Sequence, residues 1–113
     1  MANHKIERIA SDINKYLGTI LLTETDDELL KNITIIDTTV AKDLSVAKVY
    51  FTSLMDMDHS DLEREVNEAA PFIRGKLAKV LNVRNIPELK FIYDTSIEYA
   101  NHIESIIKDI NEE

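Results

Sequence analysis

Two strand-forming runs joined by a very short link restrict the fold of this chain more than any other feature. The first run, Ile33 to Val40, is dominated by β-branched residues (Ile33, Thr34, Ile35, Ile36, Thr38, Thr39 and Val40). In the second, Ala47 to Ser53, the residues Ala47, Val49, Phe51 and Ser53 share one face and Lys48, Tyr50 and Thr52 share the other. The connection, Ala41 to Ser45, cannot hold the crossover of about a dozen residues that parallel neighbours need. An antiparallel hairpin is therefore expected.

A third strand is legible further on, where Leu89, Phe91 and Tyr93 alternate with Lys90, Ile92 and Asp94 behind Pro87. Between hairpin and third strand runs a helical stripe of Leu62, Val66, Ala69, Ile73, Leu77, Val80 and Leu81, opened by the capping-box pattern Ser60-Asp61-Leu62-Glu63. Pro71 interrupts the stripe, because its ring lacks an amide hydrogen and crowds the carbonyl of Asn67. The pattern predicts two helices joined by a kink at Ala69, Ala70 and Pro71. An N-terminal helix over Asn3 to Leu22 gathers Ile6, Ile9, Ala10, Ile13, Leu17, Ile20 and Leu21 on one side. Lys5, Arg8, Asp12 and Lys15 line the opposite side. Thr23 to Asn32 reads as an acidic, polar loop. A second capping box, Thr95-Ser96-Ile97-Glu98, opens a last helix with Ala100, Ile103, Ile106, Ile107 and Ile110 as its inner stripe.

The resulting order, α-β-β-α-kink-α-β-α, predicts an α+β fold: a small three-stranded mixed sheet with helices on one face. The other face would carry Lys48 and Tyr50. No internal repeat or Pro/Gly-rich linker divides the chain, so one domain is expected over residues 1–113, with its core at about 5–110.

Charge narrows the function. The chain carries a net −8, which opposes long-range attraction to nucleic acid, but its distribution is uneven. Pro71 to Arg84 holds four basic residues, Arg74, Lys76, Lys79 and Arg84, and no acidic one. Such an island makes either a local anion-binding face or the solvated side of a helix. The absence of cysteine rules out disulfides and thiolate chemistry and suits a reducing cytoplasm. Met1 to Arg8 lacks the apolar core of a secretory signal, and runs such as Ile20–Leu22 are far too short to cross a membrane.

Catalytic and metal chemistry find little support. His4, His59 and His102 are scattered without ligand or triad spacing. The segment from Asp56 opens like a calcium loop, but Asp61 stands where the sharp turn needs glycine and Asn67 where a bidentate glutamate is needed. With only Gly18 and Gly75 there is no glycine-rich phosphate loop. No enzyme, metal or cofactor is expected.

Three segments resemble the ribosome-binding factor A family. Val40 to Tyr50 is similar to its hairpin signature, with Asp43-Leu44 followed by Ala47-Lys48-Val49-Tyr50. Glu68 to Arg74 is similar to its helix-kink-helix segment, and Leu81, Arg84, Pro87, Glu88, Leu89, Phe91, Asp94 and Ser96 fall at the spacing of its closing pattern. The resemblance spans about Lys5 to Ile110. It implies a type II KH-like domain, without the Gly-x-x-Gly loop of ordinary KH domains, that binds the immature 30S subunit. It further implies contacts with 16S rRNA near the neck and decoding-side helices, support of 5′-end processing, a role in cold adaptation, and release once maturation is complete.

On that reading the RNA-binding candidates are Arg74, Lys76, Lys79 and Arg84 on the second half of the kinked helix, with Lys5, Arg8 and Lys15 on the first helix. Lys42 and Lys48 of the hairpin are secondary candidates. Arg74 and Arg84 rank first, because a guanidinium grips phosphate bidentately. Tyr50 fits cross-strand packing better than base stacking, and Asp43 and Asp94 fit turn roles. A cytoplasmic monomer is expected, with no membrane or DNA partner. The competing reading is an acidic protein–protein adaptor on the same scaffold, binding a ribosomal protein or an assembly enzyme.

Overall fold

The hairpin forms as its short link requires. In the computed structural model, which describes residues 2–81 and 85–95, β1 (Ile33–Val40) pairs antiparallel with β2 (Val46–Ser53), from Ile33 opposite Ser53 to Val40 opposite Ala47. The ladder slips by one residue between Ile35 and Asp37, which makes Ile36 the extra residue of a β-bulge. That slip reverses the alternation, so Ile33 and Thr38, an odd number of positions apart, are both buried. β3 (Glu88–Tyr93) then runs parallel to β2 on its other side, with Ala47 beside Leu89, Lys48 beside Lys90 and Val49 beside Phe91. The sheet order is β1-β2-β3, the mixed three-stranded sheet expected.

The return to β3 is made by α3 (His59–Glu68) and α4 (Ala70–Val80), which meet at Ala69. Ala69 ends one helix and begins the next, with φ −86° and ψ −6°. Pro71 falls in the first turn of α4, where an amide hydrogen would have had no helical partner. The break thus costs little where the sequence places it. α1 (Ala2–Thr23) packs on β1 and α4, while α3 and α4 pack on β3, so these helices cover one face of the sheet.

That covered face holds the core. Ile13 and Leu17 of α1, Leu62 and Val66 of α3, and Ile73 and Leu77 of α4 close completely over Ala47, Val49, Phe51 and Phe91. Phe51 meets the edges of Phe91 and Tyr93 at ring-centroid distances of 6.3 and 5.5 Å. Each large apolar side chain so buried contributes roughly 1.5–3 kcal/mol. The opposite face, with Lys48, Tyr50, Lys90 and Ile92, stays wholly or partly exposed among the described residues.

Three local expectations are corrected. Thr23 to Asn32 is not all loop: α2 (Glu28–Lys31) forms behind Asp27, whose carboxylate accepts the Leu29 amide at 2.8 Å, and it buries Leu29 and Leu30. β2 begins one residue early, at Val46. The capping box at Ser60 does not form, since α3 starts at His59 with no side-chain cap and Glu63 turns instead to β3. The last helix, its capping box, and Arg84 lie outside the described residues.

Candidate nucleic-acid interface

The basic island is sorted by the fold into groups with different duties. Arg74, in the middle of α4, donates through Nε at 3.1 Å and Nη2 at 2.6 Å to the carbonyl oxygen of Ile86. This ties α4 to the entrance of β3. Lys76 faces the end of α1, with its ammonium 3.6 Å from the Glu24 carboxylate and 5.5 Å from the ring centre of the half-exposed Phe72. Lys79 sits in the last turn of α4, exposed, where a positive charge also complements the helix C-terminus. It has no carboxylate partner among the described residues.

On α1 the side chains of Lys5, Arg8 and Lys15 are all exposed, and none of them forms an ion pair among the described residues. The Lys15 ammonium lies 5.5 Å from the ring centre of Tyr16. Because α1 packs directly on α4, the two helices belong to one layer of the molecule.

The hairpin cations do not join that layer. Lys48 points from β2 to the face opposite the helices, beside Lys90 of β3 and Thr39 of β1. Lys42 is exposed in the link between β1 and β2. There Asp43 accepts the Ser45 amide at 3.0 Å and its hydroxyl at 2.6 Å, while Leu44 adopts φ 62°. These two bonds hold the Asp43 carboxyl below its ordinary pKa of 3.8.

Several residues that shape the surface escaped the sequence reading. The kink at Ala69–Pro71 leans over the outer edge of β3 and forms a cleft of about 480 Å³, which Arg74 and Lys90 line together. Asn67, just before the kink, clamps this edge: its amide donates to the Phe91 carbonyl and accepts from the Phe91 amide, each at 2.8 Å. His59, which has no ligand spacing in sequence, stacks its ring on Tyr93 at 3.8 Å. The only available signal for Lys90 was its alternation with Leu89 and Phe91. Among the described residues no group of histidines and carboxylates could hold a metal ion, the Asp56–Asp61 segment included, and no helix is long and apolar enough to cross a membrane.

An antiparallel hairpin, a kinked helical crossover and a parallel third strand define a small α+β module of KH-like type. Among solved structures the chain resembles crystalline ribosome-binding factor A from Thermus thermophilus, with a TM-score of 0.67 and 20% identity over 78% of this chain and 94% of that one. It also resembles a candidate ribosome-binding factor A from Thermotoga maritima studied by solution NMR, with a TM-score of 0.65 and 27% identity over 81% and 89%. A homology model of the Thermus thermophilus factor, fitted into a cryo-electron-microscopy map of a 30S–RbfA complex, gives a TM-score of 0.56 at 23% identity over 74% and 93%.

Sequence comparison gives the family directly. The family model for ribosome-binding factor A matches residues 5–107. The Streptococcus mutans protein is 37% identical over 97% of both chains, and that of Pelobacter propionicus 39% identical over 92% of this chain and 86% of its own length. This chain belongs to the ribosome-binding factor A family.

Proposed function

We propose that this protein is a non-catalytic assembly factor that binds the immature 30S subunit through 16S rRNA. It works as a single-domain, cytoplasmic monomer, assists maturation of the subunit and processing of the 16S rRNA 5′ end, and matters most at low temperature. Family membership supports this reading, together with the 30S complex to which a structural neighbour was fitted. The observation that carries the RNA contact is the helical layer of α1 and α4, where Lys79, Lys5, Arg8 and Lys15 are exposed without carboxylate partners among the described residues. Cations left free of structural duty can neutralise phosphates. Arg74 and Lys76 contribute from the same helix, but part of each is held by Ile86 and Glu24. Lys42 and Lys48 make secondary contacts.

Co-sedimentation on sucrose gradients tests this. The wild type travels with free small subunits and avoids translating ribosomes. The double variant Arg8→Glu/Lys79→Glu dissociates, and its dependence of log affinity on log salt becomes shallower by roughly 0.7–0.9 for each phosphate no longer neutralised. A double variant that binds with the same affinity and salt slope, and restores growth in the cold to a strain lacking the factor, would refute the assignment.

The acidic balance of −8 favours a second reading, an adaptor that binds a ribosomal protein or assembly enzyme. That reading predicts an affinity insensitive to salt and retained after nuclease treatment of the partner fraction.

A further inference from the structure

The two edges of the sheet are finished differently. At the outer edge of β3, Asn67 holds both backbone groups of Phe91, and Glu63 accepts the Tyr93 amide at 3.0 Å. The outer edge of β1 has no such clamp. Ser45 and Phe51 turn their carbonyls to Glu88 and Asp94 on the β3 side, so the even-numbered residues of β2 turn theirs to β1. The Ala41 amide, bonded to the Val46 carbonyl at 2.9 Å, follows the same phase. Thr34, Asp37 and Thr39, opposite Thr52, Tyr50 and Lys48, are therefore bonded inward, and Ile33, Ile35, Thr38 and Val40 aim their N–H and C=O groups outward. Those outward groups have no hydrogen-bond partner among the described residues.

The bulge at Ile36 divides this open edge into two short sets. Beside the first, Ile33 and Ile35, α1 leaves a groove of about 430 Å³. Its helix wall holds Leu22, which is 66% exposed, and Gly18, where a methyl group would meet no atom within 4 Å. Glycine is a poor helix former, and no other part of the described chain fills the hollow it leaves.

This segment is complementary to itself. A second copy laid antiparallel and centred on Thr34 sets Ile33 opposite Ile35 on both sides of the centre. Both residues face outward, so each can exchange an N–H and a C=O with its opposite, and Thr34 meets Thr34 in a favourable cross-strand pair. The same register brings Lys31 of each copy toward Asp37 of the other, and both are exposed. Charges on an edge usually keep strands apart, but here the mirrored positions carry opposite signs. On the helix side the two-fold axis sets Leu22 of each copy against the hollow at Gly18 of the other. The bulge stops the added ladder, and an isologous contact closes after two copies.

We propose that free copies of this chain pair through the Ile33–Ile35 segment of β1 into a two-fold dimer whose sheets join as six strands. Three residues of each strand and one turn of each helix make a small contact, of the transient class below about 1,200 Å². The single copy remains the form that acts on the small subunit, and the pairing belongs to the chain free of it.

The test is sedimentation equilibrium of the full chain at rising concentration, up to about 1 mM, beside NMR spectra of the ¹⁵N-labelled chain over the same range. The mean mass rises toward two copies and no further. The Ile33 and Ile35 amides shift downfield together with it, while those of Thr38 and Val40, beyond the bulge, stay in place. Lys31→Asp, which sets like charges face to face, weakens pairing by about tenfold because the contact occurs twice in each dimer. Asp37→Lys does the same, and the double variant Lys31→Asp/Asp37→Lys restores pairing, which a fold defect would not do. A single-copy mass throughout, association with stationary Ile33 and Ile35 amides, or a double variant no stronger than the single ones overturns the proposal. Protection of those two amides from hydrogen exchange only when the chain is bound to small subunits assigns the edge to a ribosomal partner and overturns it equally.

Discussion

Helices α3 and α4 meet at a single alanine, yet their polar side chains have opposite duties. On α3, Glu63 and Asn67 reach across to the main chain of β3, and His59 stacks on Tyr93 at the end of that strand. The polar residues facing the sheet there hold the fold together. On α4, Arg74 makes a structural bond at Ile86, whereas Lys79 faces solvent with no partner among the described residues. An acidic helix and a basic helix of similar length thus differ in charge, and at Lys79 also in role, since Arg74 is tied to Ile86 and Lys76 is paired with Glu24. The difference teaches that a charged residue near a site is informative only after its structural obligations are subtracted.

The sharpest way to break this comparison is to remove the clamp. Asn67→Ala strands the amide and carbonyl of the fully buried Phe91, and a net loss of about 2–3 kcal/mol is expected in urea denaturation. Asn67→Asp is nearly isosteric but replaces the amide donor with a carboxylate beside the Phe91 carbonyl, so it should cost at least as much. A change below about 0.5 kcal/mol for either variant would show that α3 does not hold β3 through this residue.

Arg74 comes next, because it belongs to both regimes. Arg74→Ala should destabilise by about 1 kcal/mol through loss of the charged donor to Ile86, a bond that solvent exposure weakens. It should also reduce binding to small subunits. Lys79→Ala should change stability by less than about 0.5 kcal/mol while weakening subunit binding, since it removes a charge with no structural partner among the described residues. If Lys79→Ala were as destabilising as Arg74→Ala, the division between structural and free cations on α4 would collapse.

What could be read from the sequence follows the same division between local and distant causes. The hairpin was legible because a short link leaves no alternative, and the kink because the steric consequence of Pro71 is local. The alternation of β2 and β3 was legible because each buries one face. The bulge at Ile36 was not, since a run of β-branched residues carries no mark of which one the ladder skips. α2, Glu28–Lys31, is too short to show a helical period, so its stretch reads as loop from the sequence. Glu63 looked like a capping residue because its true partner, Tyr93, is 30 positions away. For the candidate site, the basic island was visible but not its sorting, because the bond from Arg74 to Ile86 and the pairing of Lys48 with Lys90 depend on where the crossover delivers β3.

The smallest expected effect lies at Asp43, which serves the backbone as α3 does but in full solvent. Its carboxylate accepts the hydroxyl and amide of Ser45, and these bonds favour the ionised form, so its pKa lies below 3.8 in the folded chain. A depressed folded-state pKa contributes stability that is present above 3.8 and lost as pH falls through the folded value. Asp43→Asn keeps an acceptor for Ser45 but no titrating charge. The wild type should therefore be slightly more stable than Asp43→Asn near neutral pH, and the gap should close as the solution is acidified below 3.8. Parallel urea titrations across that range measure it. A gap that is the same at every pH would mean that the charge on Asp43 has no part in holding this turn, where Leu44 sits at φ 62°.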